Sequence, residues 1–303
     1  MDRRSFVKKS LGASIAFGAF MKTGNLFEKL GSAPLPYDLV AIKGGEPDTM
    51  FDQGIKVLGG MRAFVKKGDR VVIKPNIGWD VTPERGGDTN PKLVSRIIKH
   101  CFDAGAKEVR VVDHTCDEWQ RCYSNSGIEK AVKDAGGQIV PGGSESYYHE
   151  VSLTKAKALT SAKEHEVILD SDVFINVPIL KSHSGTRITV GMKNLMGNVW
   201  DREHWHRTDI DQCIADFSTY RKPTLNVLDA YYVMKQNGPR GVSTSDVVMM
   251  KSQIISRDIV AFDVAGTKLF GMNPDDVRYI QIASEMKVGR KDLENLNIKR
   301  ITV

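Results

Sequence analysis

Cysteine is scarce and scattered. The four cysteines, Cys101, Cys116, Cys122 and Cys213, are too few for a disulfide framework, and none sits in a Cys-x-x-Cys pair, so no iron–sulfur cluster is expected. Cys101 falls in a helical pattern and reads, with Cys213, as a small core residue. Cys116 and Cys122 lie in a polar loop after Asp113-His114, where a disulfide and a metal site shared with His114 both remain open. Long apolar runs are missing too. The uncharged stretch from Leu11 to Met21 is shorter than the ~20 residues that span a bilayer, and nothing after it looks transmembrane. There is no repeat, no low-complexity segment, and no basic stripe interleaved with aromatics. Lys+Arg exceed Asp+Glu by 43 to 37, yet residues 1–33 alone hold six basic residues against two acids, which is four of the six net charges. The remainder is nearly neutral, and no nucleic-acid partner is expected.

What is present begins with a leader. Arg3-Arg4-Ser5-Phe6-Val7-Lys8 ahead of the uncharged run looks like a twin-arginine export signal, against a competing reading as a basic amphipathic helix that Gly12 and Gly18 disfavour. The expected partner at this end is the twin-arginine export machinery, which carries folded cargo and so suits a protein loaded with a cofactor before export. Gly31-Ser32-Ala33 offers small residues for cleavage, but Pro34 follows directly. The leader is therefore either removed or kept as a membrane anchor, placing the protein in the periplasm or on the outer face of the cytoplasmic membrane. Residues 1–33 are read as leader and 34–303 as the folded part.

The periodicities of residues 34–303 predict an α/β fold: a mainly parallel sheet flanked by helices, in one large domain or two closely packed lobes. An entry segment at 37–42 precedes a helix over 50–65 and a buried strand at 70–74, where Val71, Val72 and Ile73 are consecutive and β-branched. Thr89 or Asn90 caps a helix over 92–104 that Gly105 ends, and a strand at 108–112 closes on Asp113. A helix is expected at 127–135, a strand at 138–140, a loop at 141–148, a strand at 172–177, a helix from about 186 to 196, and a strand at 224–228 ending on Asp229. A strand pair at 247–255, helices at 259–270 and 274–286 and an edge strand at 298–303 complete the pattern. Four strands thus end on Lys74, Asp113, Lys181 and Asp229, and in open α/β sheets ligands sit beyond such carboxyl ends.

The densest chemistry runs from Lys181 to Gly197. Lys181 and His183 are two apart in an extended segment and share a face, while Lys193 and Asn194 follow on the expected helix. Amines, an imidazole and an amide together make an anion pocket with one group able to move protons near neutrality. The competing reading leaves the lysines solvated and His183 in a satisfied loop. His204 and His206 offer a second imidazole or a metal-holding pair. Among the carboxylates, Asp113, Asp229 and Asp263 are placed nearest the cleft, and Asp258 reads as a helix cap.

Val72-Ile73-Lys74-Pro75-Asn76, Thr89-Asn90-Pro91, Asn176-Val177-Pro178, Lys193-Asn194-Leu195-Met196-Gly197, Leu228-Asp229, Asn237-Gly238-Pro239 and the stretch from Asp258 to Asp263 together resemble the domain of unknown function (DUF) 362 family. That resemblance spans residues 40 to 290 and implies no settled activity. The run from Val173 to His206 is also similar to a segment of nickel-pincer lactate racemases. This second resemblance implies that His183 is a proton-transfer base, Lys193 the attachment point of a pincer nucleotide, and His204 or His206 a nickel ligand. The chain departs from it at Asn90, where those racemases carry a second catalytic histidine.

Two functions compete. One is an exported enzyme acting on a small anionic molecule, with Lys74, Asn76, Asn90, Lys181 and Asn194 binding it, His183, Lys193, Asp113 and Asp229 catalysing, and a divalent metal or nickel-type cofactor assisting. The other is a non-catalytic cell-envelope protein that binds an anion or metal through the same lysines.

Overall fold

Val71, Val72 and Ile73 are all at most 1% exposed, and burial on both faces marks the centre of a sheet. The computed structural model describes residues 35–303, so the leader lies outside the described residues. In chain order the strands are β1 Leu39–Lys43, β2 Arg70–Pro75, β3 Glu108–Val111, β4 Gln138–Ile139, β5 Tyr148–Ser152, β6 Ser161–His165, β7 Val173–Val177, β8 Ile179–His183, β9 Arg187–Thr189, β10 Leu225–Met234, β11 Val247–Ser256 and β12 Ile298–Thr302. The helices are α1 Pro47–Val57, α2 Pro91–Ala104, α3 Trp119–Asn125, α4 Ile128–Asp134, α5 Glu166–Leu169, α6 Gly191–Asn194, α7 Arg202–Thr208, α8 Ile210–Tyr220, α9 Ile259–Phe270 and α10 Arg278–Glu285.

Ten strands form one sheet in the order β12-β1-β11-β10-β7-β2-β3-β4, with β8 pairing to β10 and β9 to β8. Strands β10, β7, β2, β3 and β4 are mutually parallel, whereas β11 runs antiparallel to both β10 and β1. Strands β5 and β6 make a separate hairpin. From β2 the chain steps outward to β3 and β4, then returns to the other flank of β2 as β7. That reversal makes the carboxyl ends of β2, β3 and β7 a topological switch point, where a parallel sheet opens a crevice.

The α2 crossover shows why the chain turns here. Asn90 Oδ1 accepts from the Lys92 N–H at 3.0 Å, Pro91 takes the first helical position, and Gly105 ends the helix at φ 103°. Its apolar face, Leu93, Val94, Ile97, Ile98 and Cys101, is fully buried.

Several expectations are corrected. The helix expected over 50–65 stops at Val57. The one expected over 186–196 is a β-hairpin followed by a single turn, because Ile188 and Val190 alternate with polar residues and Arg187, at φ 65°, turns β8 back into β9. The strand at 224–228 does not end on Asp229 but runs to Met234, because that buried carboxylate is satisfied by the N–H of Tyr231 in the same strand and of Asn90 at the α2 cap. Residues 247–255 form a single strand, not a pair. Helix α10 begins at Arg278, after a separate turn at Pro274–Asp276. The β5–β6 hairpin and helices α3, α5, α7 and α8 were not foreseen. Residues 36–303 form one compact unit rather than two lobes. All four cysteines are free, three buried and Cys116 exposed, so Cys116 and Cys122 are not bridged. No helix among the described residues is long and apolar enough to cross a membrane.

Candidate functional site

A cleft of about 270 Å³ opens at the switch point, lined by the ends of β2, β3 and β8, the α6 turn and the start of α7. Its floor is a buried polar network. Lys74 Nζ sits 2.9 Å from Asp113 Oδ1 and donates to Asn194 Oδ1 at 2.8 Å. The same Asn194 oxygen accepts from Asn76 Nδ2 at 2.9 Å, while its amide nitrogen donates to Asn176 Oδ1 and to the Lys74 carbonyl. Lys181 Nζ donates to Asn76 Oδ1 at 2.9 Å and to the Gly87 carbonyl at 2.5 Å. Asp113 Oδ2 accepts from the Ile77 N–H at 2.7 Å. Lys74 and Asn176 are register partners on β2 and β7, and Asn176 faces Asn226 on β10, so the polar row crosses three strands. Glycine is required at Gly197, where a Cβ would fall 1.9 Å from Asp113 Oδ1 and 2.6 Å from Lys74 Nζ.

Burial lowers the pKa of Lys74, and the Asp113 charge opposes that shift. Behind the floor Asp88 accepts from the Gly78 and Trp79 N–H groups through Oδ1, and its Oδ2 has no hydrogen bond among the described residues. Burial pushes the Asp88 carboxyl up and the Lys181 amine down, and each opposes the other's shift. The floor cations are therefore largely answered by acids.

The rim differs. Lys193 lines the cleft, half-buried, and its amine has no hydrogen bond or ion pair among the described residues. Burial, then the positive charges of Arg202, Lys181 and Lys74, bring its pKa down to about 7. Arg202 donates to the carbonyls of His114 and Thr115 and has no carboxylate partner among the described residues. Two imidazoles share this cleft in opposite tautomers. His183 Nδ1 accepts from the Gly185 N–H at 3.0 Å and the Thr186 N–H at 3.3 Å, which leaves the neutral ring's proton on Nε2. Burial, with Lys193, Lys181 and His206 nearby, drops its pKa to about 2. His114 Nδ1 must donate to the Val199 carbonyl at 2.8 Å, which leaves a lone pair on Nε2. Its ring stacks on Trp200 at 4.8 Å, and burial followed by Arg202 lowers its pKa.

The fold thus brings Lys74, Asn76, Asp113, Lys181, His183, Lys193, Asn194 and His206 to one cleft. Asn90 and Asp229 do not line it. Asp229 is 1% exposed and accepts from the Asn90 and Tyr231 N–H groups at 2.6 and 3.0 Å, joining α2 to β10; burial raises its pKa to about 6. Asp263 lies behind the cleft, accepting from the Gly191 and Met192 N–H groups, and burial raises its pKa to about 8. His204 faces a different cavity, of about 400 Å³, with Glu145 and Asp201. Helix α7 is the reason: residues two apart on a helix point to different sides, so His204 and His206 cannot converge.

The donor set does not fit a metal ion held by protein side chains alone. Among the described residues no three His, Cys, Asp or Glu side chains are placed to hold an ion, and the amines and guanidinium of the cleft repel a bare divalent cation. Sequence reasoning missed Arg202, which between Asp201 and Glu203 looks like one more charge on a surface helix. His114 was considered only as a metal ligand beside Cys116 and Cys122, because the Val199 contact that fixes its tautomer is 85 residues away.

Residues 71–268 match the family described as Domain of unknown function (DUF362), and the chain belongs to that family. It is 27% identical over 228 residues to the thylakoid-associated protein sll1697 of Synechocystis sp., a match covering 73% of this chain and 68% of that one. Among solved structures it is similar to the lactate racemase apoprotein of Thermoanaerobacterium thermosaccharolyticum, with TM-score 0.43, 10% identity and 76% of this chain covered. It is also similar to a structural-genomics target from Thermotoga maritima, with TM-score 0.46, 10% identity and 80% covered. The chain spans 56% and 60% of the lengths of those two proteins.

Proposed function

We propose that this DUF362 protein is an exported enzyme that binds a small carboxylate-bearing molecule in the cleft and moves a proton at the carbon beside the carboxylate. The observation that carries this reading is the pair of imidazoles locked in opposite tautomers on one cleft beside an uncompensated guanidinium. Arg202, with Lys181 below it, supplies positive charge for the carboxylate. His114, through its free Nε2 lone pair, is the base. His183 is a donor rather than the base implied by resemblance, because protonating Nδ1 would set it against two backbone N–H groups. A neutral imidazole N–H can steady an enolate oxygen without first giving up its proton. An arriving carboxylate offsets Arg202, which raises the proton affinity of His114 when the substrate is in place.

The test is hydrogen–deuterium exchange. Small 2-hydroxy and 2-oxo acids incubated with the protein in deuterated water should lose the C–H signal beside the carboxylate or carbonyl. His114→Gln should abolish that loss. A panel in which carboxylates bind but none exchanges would leave the non-catalytic binding protein as the better account. Export rests on the Arg3-Arg4 leader. Replacing both arginines with lysine should hold the folded protein in the cytoplasm on cell fractionation, and unchanged export would remove that part of the proposal.

A further inference from the structure

We propose that Lys193 is a carbonyl-trapping amine that forms an imine with a small 2-oxo acid whose carboxylate is held by Arg202. The inference deepens the carboxylate reading above and rests on it. Three amines line the cleft, and two are committed: Lys74 to Asp113 and Asn194, Lys181 to Asn76 and Gly87. Lys193 alone of the three has no acceptor among the described residues, although it is largely withdrawn from solvent. A buried ammonium without an acceptor is costly, so the site favours the neutral, nucleophilic form. The neighbouring cations push the same way, in keeping with an amine held near about 7.

The chemistry balances within the cleft. The Nζ lone pair attacks the carbonyl carbon, and the resulting carbinolamine loses its oxygen as water carrying both amine hydrogens, leaving a C=N bond. No oxidant or reductant is consumed. His183 offers its Nε2–H to the oxygen as charge develops there; the neutral imine nitrogen then takes one proton from solvent, and the resulting iminium acidifies the adjacent C–H bond, for which His114, lining the same cleft, is the available base. Arg202, with no carboxylate partner among the described residues, makes a 2-oxo acid a better fit than a simple aldehyde.

Glyoxylate is the probe, added to the full-length protein near neutral pH with cyanoborohydride, which reduces an imine to a stable secondary amine. Peptide mapping should find one carboxymethyl group on Lys193, formed at least roughly tenfold faster than on the exposed Lys130, since each unit of lowered pKa raises the neutral fraction about tenfold. Lys193→Gln, which removes the nucleophilic amine and stays polar, should remove that label. Label spread over surface lysines with Lys193 unmodified overturns the proposal. Calorimetry with glycolate, which has the carboxylate but no carbonyl, separates the two readings. Glycolate bound with Lys193 unlabelled sinks the imine and leaves the carboxylate cleft standing, whereas no glycolate binding and no label sink both.

Discussion

The two halves of the sheet carry very different chemistry. In the parallel half, β2, β3 and β7 all finish at one edge, and the residues there are Lys74, Asp113 and Asn176. In the antiparallel half, β11 runs against β10 and β1, so strand ends are shared between opposite edges. The hollow found there, of about 340 Å³, is lined by Leu39, Ala41, Ile254, Leu269 and Ile298, with Lys43, Lys268 and Arg300 as its charged residues. Direction is the difference. Parallel strands stack their carboxyl ends, so one polar residue per strand becomes a cluster, whereas antiparallel strands disperse the same number of polar residues.

The comparison breaks first at Lys74. Lys74→Met leaves Asp113 buried without its cation and should cost ~3–5 kcal/mol in urea unfolding, with Asp113→Asn added to it recovering part of the loss. A loss under ~1 kcal/mol would mean the parallel half is not organised around that ion pair. In the other half a steric change should act on stability alone. At Gly54 on α1 a Cβ would meet Ile255 Cδ1 at 2.7 Å and Ile42 Cδ1 at 2.9 Å. Gly54→Ala should therefore cost about 1–2 kcal/mol after its gain in helix propensity, with glycolate affinity unchanged.

Lys193 sharpens the contrast through pH. Its pKa falls from 10.5 to about 7 on folding, so between those values the unfolded chain binds the extra proton, and the stability of the native protein rises with pH across that window. Lys193→Met should be more stable than the native protein below about pH 7, and the advantage should vanish as pH approaches 10.5; melting temperatures against pH read this directly. A constant offset at all pH values would show the amine to be charged throughout. The smallest effect is expected at His204, exposed and facing the other cavity. His204→Ala should change stability by less than ~0.5 kcal/mol and leave deuterium exchange intact.

Much of the parallel half was legible. Consecutive β-branched residues marked β2, the Asn90-Pro91 cap and Gly105 marked α2, and Lys74 and Asp113 lie at the ends of β2 and β3, whereas Lys181, expected at a strand end, sits in the middle of β8. Asp229 misled because a carboxylate in a strand looks like a terminus until its donors are known, and those are the Asn90 and Tyr231 N–H groups. The stretch from 186 to 196 misled because Met192, Lys193, Leu195 and Met196 are good helix formers, while the alternation of Ile188 and Val190 was the signal that mattered. Arg202 and the base character of His114 had no local signature at all, since both depend on carbonyls far away in the chain.

Residue order alone determined the central strand β2, the α2 crossover and the supply of amines, because periodicity and capping act over a few neighbouring residues. Register, tautomer and the solitude of Lys193 were decided only in three dimensions. Each depends on which groups from distant strands stand within about 3 Å, and hydrogen bonding and desolvation act at that range however far apart the residues lie along the chain.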